Sequence, residues 1–534
     1  MDALRGLFQG PGSGTIVPRE QPEPPRESIL WGKKALPARF ARQSHYRISG
    51  ITGSGKSHLT KLFLLDALRE VEQNDAKLVV FEPKREFYAW VQTVRRQYNY
   101  SFPVTYFMPS DTRGATLEFW RDYLSDQDSR TLANAFFPPD PNERDQFWSK
   151  SLRTIFAQVF DAIKWQLGYA DLRLACLVLE DEELTRALLK TDPYLVQARV
   201  LIEQGHTKEV DKTSRDIGRT IQTRVAEMKV LAAHLELARQ EGRSFSLSRF
   251  VNLPGAGALV VSKDPVYSLV QDPMNGIIFL RLMELLDRLQ QDAARRVFIV
   301  IDEFPMLAGD KPCPGIEKML LLLRSRGVSL LFTYQAHASL KRIYGEEMAD
   351  EIVGEVANVI YLKQGDVNSA GYAARDLGCE RGFDETTTVG VSGGMSGAVP
   401  NSGWSIQKQK HPYDRPIHSA TELMNGLRPS DEEWGLEGFA KSAAVGAEPY
   451  YFTYEPAEIA AIPKTSPDFK DYERRDPDLG EDEGGDPVKS FRRYIEHMRK
   501  TQRVERLLDE EKDQLLGRTT EEGDREKCRT FLDG

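Results

Sequence analysis

Residues 50–57 read GITGSGKS and satisfy the spacing G-x-x-x-x-G-K-[ST] in full. No other stretch limits the possible folds so tightly. The glycines let backbone N–H groups curl around phosphate oxygens, and the following helix adds positive potential at its N-terminus. The Lys56 side chain reaches β- and γ-phosphates, and the Ser57 hydroxyl faces Mg²⁺. Such a loop works only between a strand and a helix. The flanks supply both: a short strand at His45, Tyr46, Arg47 and Ile48, then a helix from Lys56 to about Glu72 whose Leu59, Leu62, Leu64, Leu65 and Leu68 lie largely on one face. Gly50, Thr52, Gly53, Ser54, Gly55, Lys56, Ser57 and His58 are thus the candidate nucleotide-binding residues. The competing reading is a glycine turn that merely caps a helix.

Strand–helix alternation surrounds this loop. Short apolar runs at 77–81 (KLVVF), 258–262 (ALVVS), 297–301 (VFIVI), 328–334 (VSLLFTY) and 359–362 (VIYL) alternate with helical patterns near 274–290 and 316–324. That pattern predicts an α/β fold with a parallel, doubly wound sheet. Between about 117 and 250 helical periods dominate and strands almost vanish, which predicts an inserted all-α domain. The domain reading is an extended Gly/Pro-rich arm over 1–28, a nucleotide-binding domain over 29–115, the helical insert over 116–253, the second part of the nucleotide-binding domain over 254–463, and an acidic tail over 464–534 with one helical candidate at 488–516. Residues 386–405 (TTTVGVSGGMSGAVPNSGWS) are poor in bulky core residues and rich in Gly and Ser, and read as a flexible loop.

Three further positions carry chemistry. Asp302 and Glu303 end the apolar run VFIVI. In nucleotide motors the first acid of such a pair holds the Mg²⁺ shell and the second polarises the attacking water. Gln335 ends LLFTYQ, and a polar side chain at the C-terminal end of a parallel strand lies in the ligand crevice, where it could sense a γ-phosphate. Arg324 and Arg326 stand between these two. Either has the planar fork that suits a neighbouring subunit's γ-phosphate, but spacing alone reads both as charges ending a helix. Glu82, Lys84, Arg85 and Glu86 follow the second strand and read equally well as crevice residues or a solvated loop. In the insert Phe136, Phe137, Phe147, Trp148, Phe156, Phe160 and Trp165 could stack on nucleic-acid bases, although helix-core packing accounts for them as well.

Composition removes other classes. With 71 basic and 80 acidic residues the net charge is −9, so the chain does not coat nucleic acid through overall basicity. The four cysteines form no C-x-x-C pair, which indicates neither a zinc site nor a disulfide scaffold. No run of 18 apolar residues exists for a membrane-spanning helix, and no signal peptide opens the chain. A cytoplasmic location follows.

The order and wording of the motifs resemble the type IV secretion coupling proteins, conjugative DNA-pumping ATPases of the FtsK/HerA motor group. The resemblance rests on HYRISGITGSGKS, VVFEPKREF, PPDPNERDQFW leading into the insert, VFIVIDEFPML, RSRGVSLLFTYQAHASLKRIYGEE and NVIYLKQGDVNSAGYAARDLG, over about residues 29–430. It implies a RecA-like P-loop NTPase that binds ATP and Mg²⁺ and assembles as a homo-hexamer around single-stranded DNA. A relaxase or secreted protein would be its substrate, presented at the helical insert. It further implies that Lys56 and Ser57 meet phosphate and Mg²⁺, that Asp302 and Glu303 are the acidic pair, that Gln335 couples nucleotide state to movement, and that Arg324 enters the neighbouring subunit's site. Two departures stand out. The family's two-helix membrane anchor is missing here, so docking at the inner membrane calls for a separate membrane or channel partner. The turn that usually reads D-x-K-G-E is here Glu82-Pro83-Lys84-Arg85-Glu86, with Arg where the backbone wants glycine. Two other readings stand beside the conjugative motor: a HerA-like DNA motor working with a nuclease, and an adaptor that recruits substrates and uses nucleotide only to assemble.

Overall fold

The computed structural model describes residues 29–37, 44–123, 126–137, 147–167, 169–189, 198, 208–290, 296–307, 309, 312–313, 316–396, 399–446, 448–465 and 470. The expected arm over 1–28 and nearly all of the acidic tail, including its helical candidate, lie outside them. The described chain forms two compact units, one comprising the residues up to Asp122 together with His234–Tyr472, the other Tyr123–Ala233.

The first unit is built on fifteen strands, numbered in chain order: β1 Ile29–Trp31, β2 Lys34–Leu36, β3 Tyr46–Ser49, β4 Lys77–Glu82, β5 Val104–Phe107, β6 Thr116–Leu117, β7 Ser244–Phe245, β8 Gly257–Ser262, β9 Val297–Ile301, β10 Val328–Tyr334, β11 Asn358–Tyr361, β12 Cys379–Ser396, β13 Val399–Pro416, β14 Leu436–Ser442 and β15 Tyr450–Tyr454. Nine of them make one sheet in the order β15-β14-β11-β3-β10-β9-β4-β8-β5. Every residue of β9 and β10 is buried, because helices cover both faces and leave no polar side to the strand. On one face Phe63, Leu64 and Leu68 of the helix Lys56–Asn74 and Trp90 of the helix Phe87–Gln97 pack with Ile48, Leu78, Val80, Val300 and Leu331. On the other, Phe279 of the helix Ser268–Arg288 meets Phe81 at 5.6 Å, and Ala370, Ala373 and Ala374 of the helix Val367–Leu377 pack on Val359 and Tyr361. This is the doubly wound α/β arrangement.

Three features differ from the sequence reading. The sheet is mixed: β14 runs antiparallel to β11, and β15 pairs antiparallel with β14. Their sequences, LEGFAKS and YYFTY, lack the long apolar runs of the central strands, so they left little trace. Residues 386–396 and 399–405 are not a loop. They form half of a long antiparallel ribbon in which β12 pairs with β13 from Cys379↔Pro416 to Ser396↔Val399. Backbone pairing holds a ribbon together without an apolar face, so the absence of core residues did not mean the absence of strands. Finally, residues 116–122 and 234–253 group with the α/β unit and not with the helices. β6 pairs with β7, and the Asp122 carboxylate accepts hydrogen bonds from Ser246 Oγ (2.9 Å), Leu247 N (2.8 Å) and Ser248 N (2.8 Å) at the start of the helix Leu247–Asn252.

The helical unit contains Asp126–Phe136, Phe147–Leu167, Leu172–Glu180 and Glu182–Leu189, and the helix Lys208–Gln240 begins in it. Phe156 lies 5.8 Å from Phe136, 5.2 Å from Phe137 and 6.3 Å from Phe160. Phe137, Phe156 and Phe160 are buried helix core, and the half-buried Phe136 packs against Phe156. Trp165 is exposed; the side chains of Phe147 and Trp148 lie outside the described set.

A buried arginine in the sheet beside the phosphate loop pairs with a half-buried carboxylate on the helix Val367–Leu377. Arg47 of β3, with no exposed surface, donates to Tyr334 Oη (2.9 Å), Tyr361 Oη (2.7 Å) and Asp376 Oδ2 (2.7 Å). Removing one partner of a buried pair leaves an uncompensated charge, whereas removing the buried charge itself does not. Asp376→Ala should therefore lower unfolding free energy by about 3 kcal/mol, clearly more than Arg47→Met does; urea denaturation of the two variants checks the order, and a larger loss for Arg47→Met would refute it.

Candidate nucleotide-binding site

The phosphate loop follows β3 at the C-terminal edge of the sheet. Parallel register places Ser49 beside Tyr334 and Phe332 beside Ile301. Three strand ends therefore bring the loop, Asp302, Glu303 and Gln335 to one edge, although they are far apart in sequence. The loop is shaped by two close approaches. A Cβ on Gly50 would stand 2.5 Å from Ser54 Oγ and 2.8 Å from Leu362 Cβ; Gly55 has φ +99°, and its Cβ would stand 2.0 Å from Leu436 Cδ1. A side chain at either position would displace Ser54 and Leu362 or Leu436.

What the loop offers is positive. The N–H groups of Gly53, Gly55, Lys56 and Ser57 make no hydrogen bond among the described residues, as expected where a helix begins. Ser54 Oγ is buried and unpartnered. Lys56 is mostly buried, and its Nζ donates to the carbonyls of Gly50 (2.7 Å) and Ile51 (3.0 Å). Burial lowers the pKa of its ammonium, opposed by the charges of Glu303 and Asp302. Ser57 and His58 lie half-buried in the first helical turn, while Thr52 and Gly53 are exposed. Open N–H groups, a buried lysine and a helix start make a seat for a polyphosphate. A hydroxyl at Ser57 and a carboxylate at Asp302, both oxygen donors, suit Mg²⁺.

A hydrogen-bonded chain links the loop to the acids. Thr52 Oγ1 donates to Gln335 Oε1 (3.2 Å), and Gln335 Nε2 donates to Glu303 Oε2 (3.2 Å). Glu303 N donates to Thr333 Oγ1 (2.9 Å), which donates to Asp302 Oδ1 (3.0 Å). Burial raises the pKa of the Glu303 carboxyl, against the opposing pull of Lys56 and of the Gln335 hydrogen bond. Its backbone is left-handed, φ 57° and ψ 65°, a conformation that costs an L-residue about 1 kcal/mol or more. Thr333 was absent from the sequence candidates. Its signal was a hydroxyl two residues before Gln335 in a largely apolar strand, where a buried oxygen needs partners.

The turn after β4 resolves into structural roles. Glu82 Oε2 accepts from the amides of Glu86 (2.8 Å) and Phe87 (2.9 Å), and Oε1 accepts from Ser262 Oγ (2.7 Å). Burial pushes its carboxyl pKa up to about 7. It holds the start of the helix Phe87–Gln97. Arg85 adopts φ 56°, the left-handed backbone that glycine would take without strain, and pairs with Asp264 at 3.3 Å. Lys84 is close enough to influence both Lys56 and Glu303.

The two arginines separate. Arg326 is engaged within its own chain, with Leu289 O and with Asp287 Oδ1 at 3.0 Å. Arg324 is exposed in the 3₁₀ turn Leu323–Arg326. That turn enters β10, whereas Gln335 leaves it, and seven residues of strand separate the two, roughly 23 Å at 3.3 Å per residue. Arg324 therefore sits at the edge of the sheet opposite to its own phosphate loop. Behind it, neutral His45 Nε2 meets Leu320 O at 3.0 Å while Nδ1 receives the N–H of Leu330 at 3.2 Å; burial lowers its pKa to about 4.

The profile of the type IV secretion-system coupling protein DNA-binding domain matches residues 33–428. The chain belongs to this family. It is 23% identical over 341 residues to the coupling protein TraD of Escherichia coli (strain K12), which covers 62% of this chain and 44% of TraD; the chain thus spans less than half the length of that relative. Among solved structures it is similar to the bacterial conjugative coupling protein TrwBdeltaN70 in its unbound monoclinic form (TM-score 0.57, 15% identity, 84% of this chain and 90% of that one). It is also similar to TrwB in complex with ADP and Mg²⁺ (TM-score 0.58, 14% identity, 84% and 92%). The fold is that of these RecA-like P-loop proteins. No helix among the described residues is long and apolar enough to cross a membrane.

Proposed function

We propose that this protein is the ATP-hydrolysing, DNA-translocating motor of a conjugative or type IV secretion pathway, working as a homo-hexamer around single-stranded DNA. The observation that carries the reading is the continuous chain from Thr52 through Gln335 to Glu303, which joins a phosphate seat to a carboxylate placed for proton abstraction. Membership of the coupling-protein family supports DNA as the cargo, and the ADP- and Mg²⁺-bound form of TrwB supports the cofactors ATP and Mg²⁺. A relaxase or other secreted protein fits as the delivered substrate, with a membrane or channel partner at the inner membrane.

In this mechanism the open amides of Gly53, Gly55, Lys56 and Ser57 and the Lys56 ammonium hold the β- and γ-phosphates. Ser57 and Asp302 would hold Mg²⁺, which neutralises phosphate charge when bound. Glu303 accepts the proton of the attacking water, helped by its raised pKa. Gln335, held between Thr52 and Glu303, registers the presence of the γ-phosphate and passes it into β10. Arg324 supplies positive charge to the developing phosphoryl group of an adjacent protomer.

The test is phosphate release by purified protein with and without single-stranded DNA, alongside ATP affinity of Lys56→Ala. Turnover should rise with DNA, and Lys56→Ala should bind ATP about 10- to 100-fold more weakly, the worth of a charge-assisted contact. Turnover indifferent to DNA would overturn the motor in favour of a nucleotide-assembled adaptor.

A further inference from the structure

The phosphate loop has two sides. Asp302, Glu303 and Gln335 lie on the β9 and β10 side of β3; β11 and β14 lie on the other. A nucleotide whose γ-phosphate faces the acids holds its base away from them, and β11 and β14 lie on that side of β3. There residues 428–436, the approach to β14, are fastened to the loop. Ser430 N donates to Gly53 O (3.0 Å), Ser430 Oγ meets His58 Nδ1 at 3.4 Å, and Leu436 packs on Gly55. Between Ser430 and Leu436 the chain makes a tight turn closed by paired hydrogen bonds of Asp431 and Gly435 (3.0 and 2.9 Å). The turn carries Trp434.

We infer that Trp434 is the base-stacking wall of the nucleotide site, and that it binds purine bases through its ring alone. The inference rests on the nucleotide reading above. The ring is anchored: Nε1 donates to Pro429 O (2.8 Å), and the Arg428 guanidinium stands 5.7 Å from the ring. Arg428 is itself held by Glu437. Yet 37% of the tryptophan surface stays open. An indole fixed beside a phosphate seat, with more than a third of its surface uncovered, is a stacking platform, because a base has two π-faces to bury. The single polar atom of the indole is spent on Pro429, so the ring offers no hydrogen bond with which to tell adenine from guanine. Because Ser430 and Leu436 hold the same segment on Gly53 and Gly55, stacking a base on Trp434 also braces the loop that holds the phosphates.

The experiment measures equilibrium binding of ATP, GTP and inorganic tripolyphosphate to the full-length protein and to Trp434→Ala and Trp434→Phe. Trp434→Ala should weaken ATP and GTP alike by about 5- to 100-fold, and Trp434→Phe should weaken them less. Tripolyphosphate should bind all three proteins equally. Unchanged ATP affinity in Trp434→Ala overturns the inference. So does an equal loss for ATP and tripolyphosphate, which would make Trp434 a brace for the loop and nothing more. A native protein that binds tripolyphosphate as tightly as ATP overturns the base wall while leaving the phosphate seat intact; one that binds neither overturns the nucleotide reading as well.

Discussion

Glu303→Gln should bind ATP with native affinity and release phosphate about 10²- to 10⁴-fold more slowly, the usual worth of a general base. The substitution keeps the shape and one acceptor oxygen, so the 3.2 Å hydrogen bond from Gln335 can persist. The backbone bond from residue 303 to Thr333 is untouched. What disappears is the capacity to take a proton. Burial raises the carboxyl pKa against the pull of Lys56, which strengthens the carboxylate as a proton acceptor, whereas an amide accepts none. The variant should consequently stall with ATP bound, and DNA should not rescue it. Single-turnover phosphate release and nucleotide affinity, measured together, separate the outcomes. Release at the native rate would show that the water is activated elsewhere. Loss of ATP affinity would show that Glu303 acts in binding.

Much of this site was legible because its chemistry is local. GITGSGKS declares itself within eight residues, and VFIVIDE and LLFTYQ place polar groups at the ends of apolar runs. The central strands were legible for the same reason: burial on both faces writes a continuous hydrophobic word into β9 and β10. Elsewhere the information was long-range. Thr333 matters because β10 lies beside β9, which no single strand reveals. Trp434 belongs to a turn nearly 380 residues after the loop to which Ser430 ties it. The β12–β13 ribbon is specified by backbone pairing, not by an apolar face; its Thr388 and Gln407, directly opposed, look like loop residues in a sequence. The turn after β4 shows a third kind of gap. Arg85 occupies a left-handed backbone that composition would give to glycine, and the Asp264 carboxylate that pairs with it comes from 179 residues downstream.

Placement favours Arg324 over Arg326 on the proposed reading, a choice that spacing leaves open. Arg326 is spent on Leu289 and Asp287 of its own chain. Arg324, across the sheet from its own loop, has no route to the phosphates it would serve there. On the proposed motor reading, a residue in that position would serve the phosphates of another copy of the chain, which calls for a head-to-tail arrangement that closes as a ring.

Arg324→Ala should accordingly keep ATP affinity and lose about 10³- to 10⁵-fold in turnover, the range over which an inserted arginine acts in phosphoryl transfer. His45 gives this prediction its control. It fixes Leu320 and Leu330 on either side of the arginine turn and, with a pKa near 4, stays neutral through the working range, so the turn should stay in place when Arg324 is shortened. Mixing is the decisive measurement. Lys56→Ala protomers lack a working phosphate seat but still present Arg324; Arg324→Ala protomers have the seat and lack the arginine. Each alone should be inactive, and an equal mixture should regain activity at roughly a quarter of its interfaces if protomers assort at random in a ring. No recovery on mixing, with both variants assembling normally, would mean that Arg324 acts within its own subunit or not at all, and the ring mechanism would lose its means of linking one site to the next.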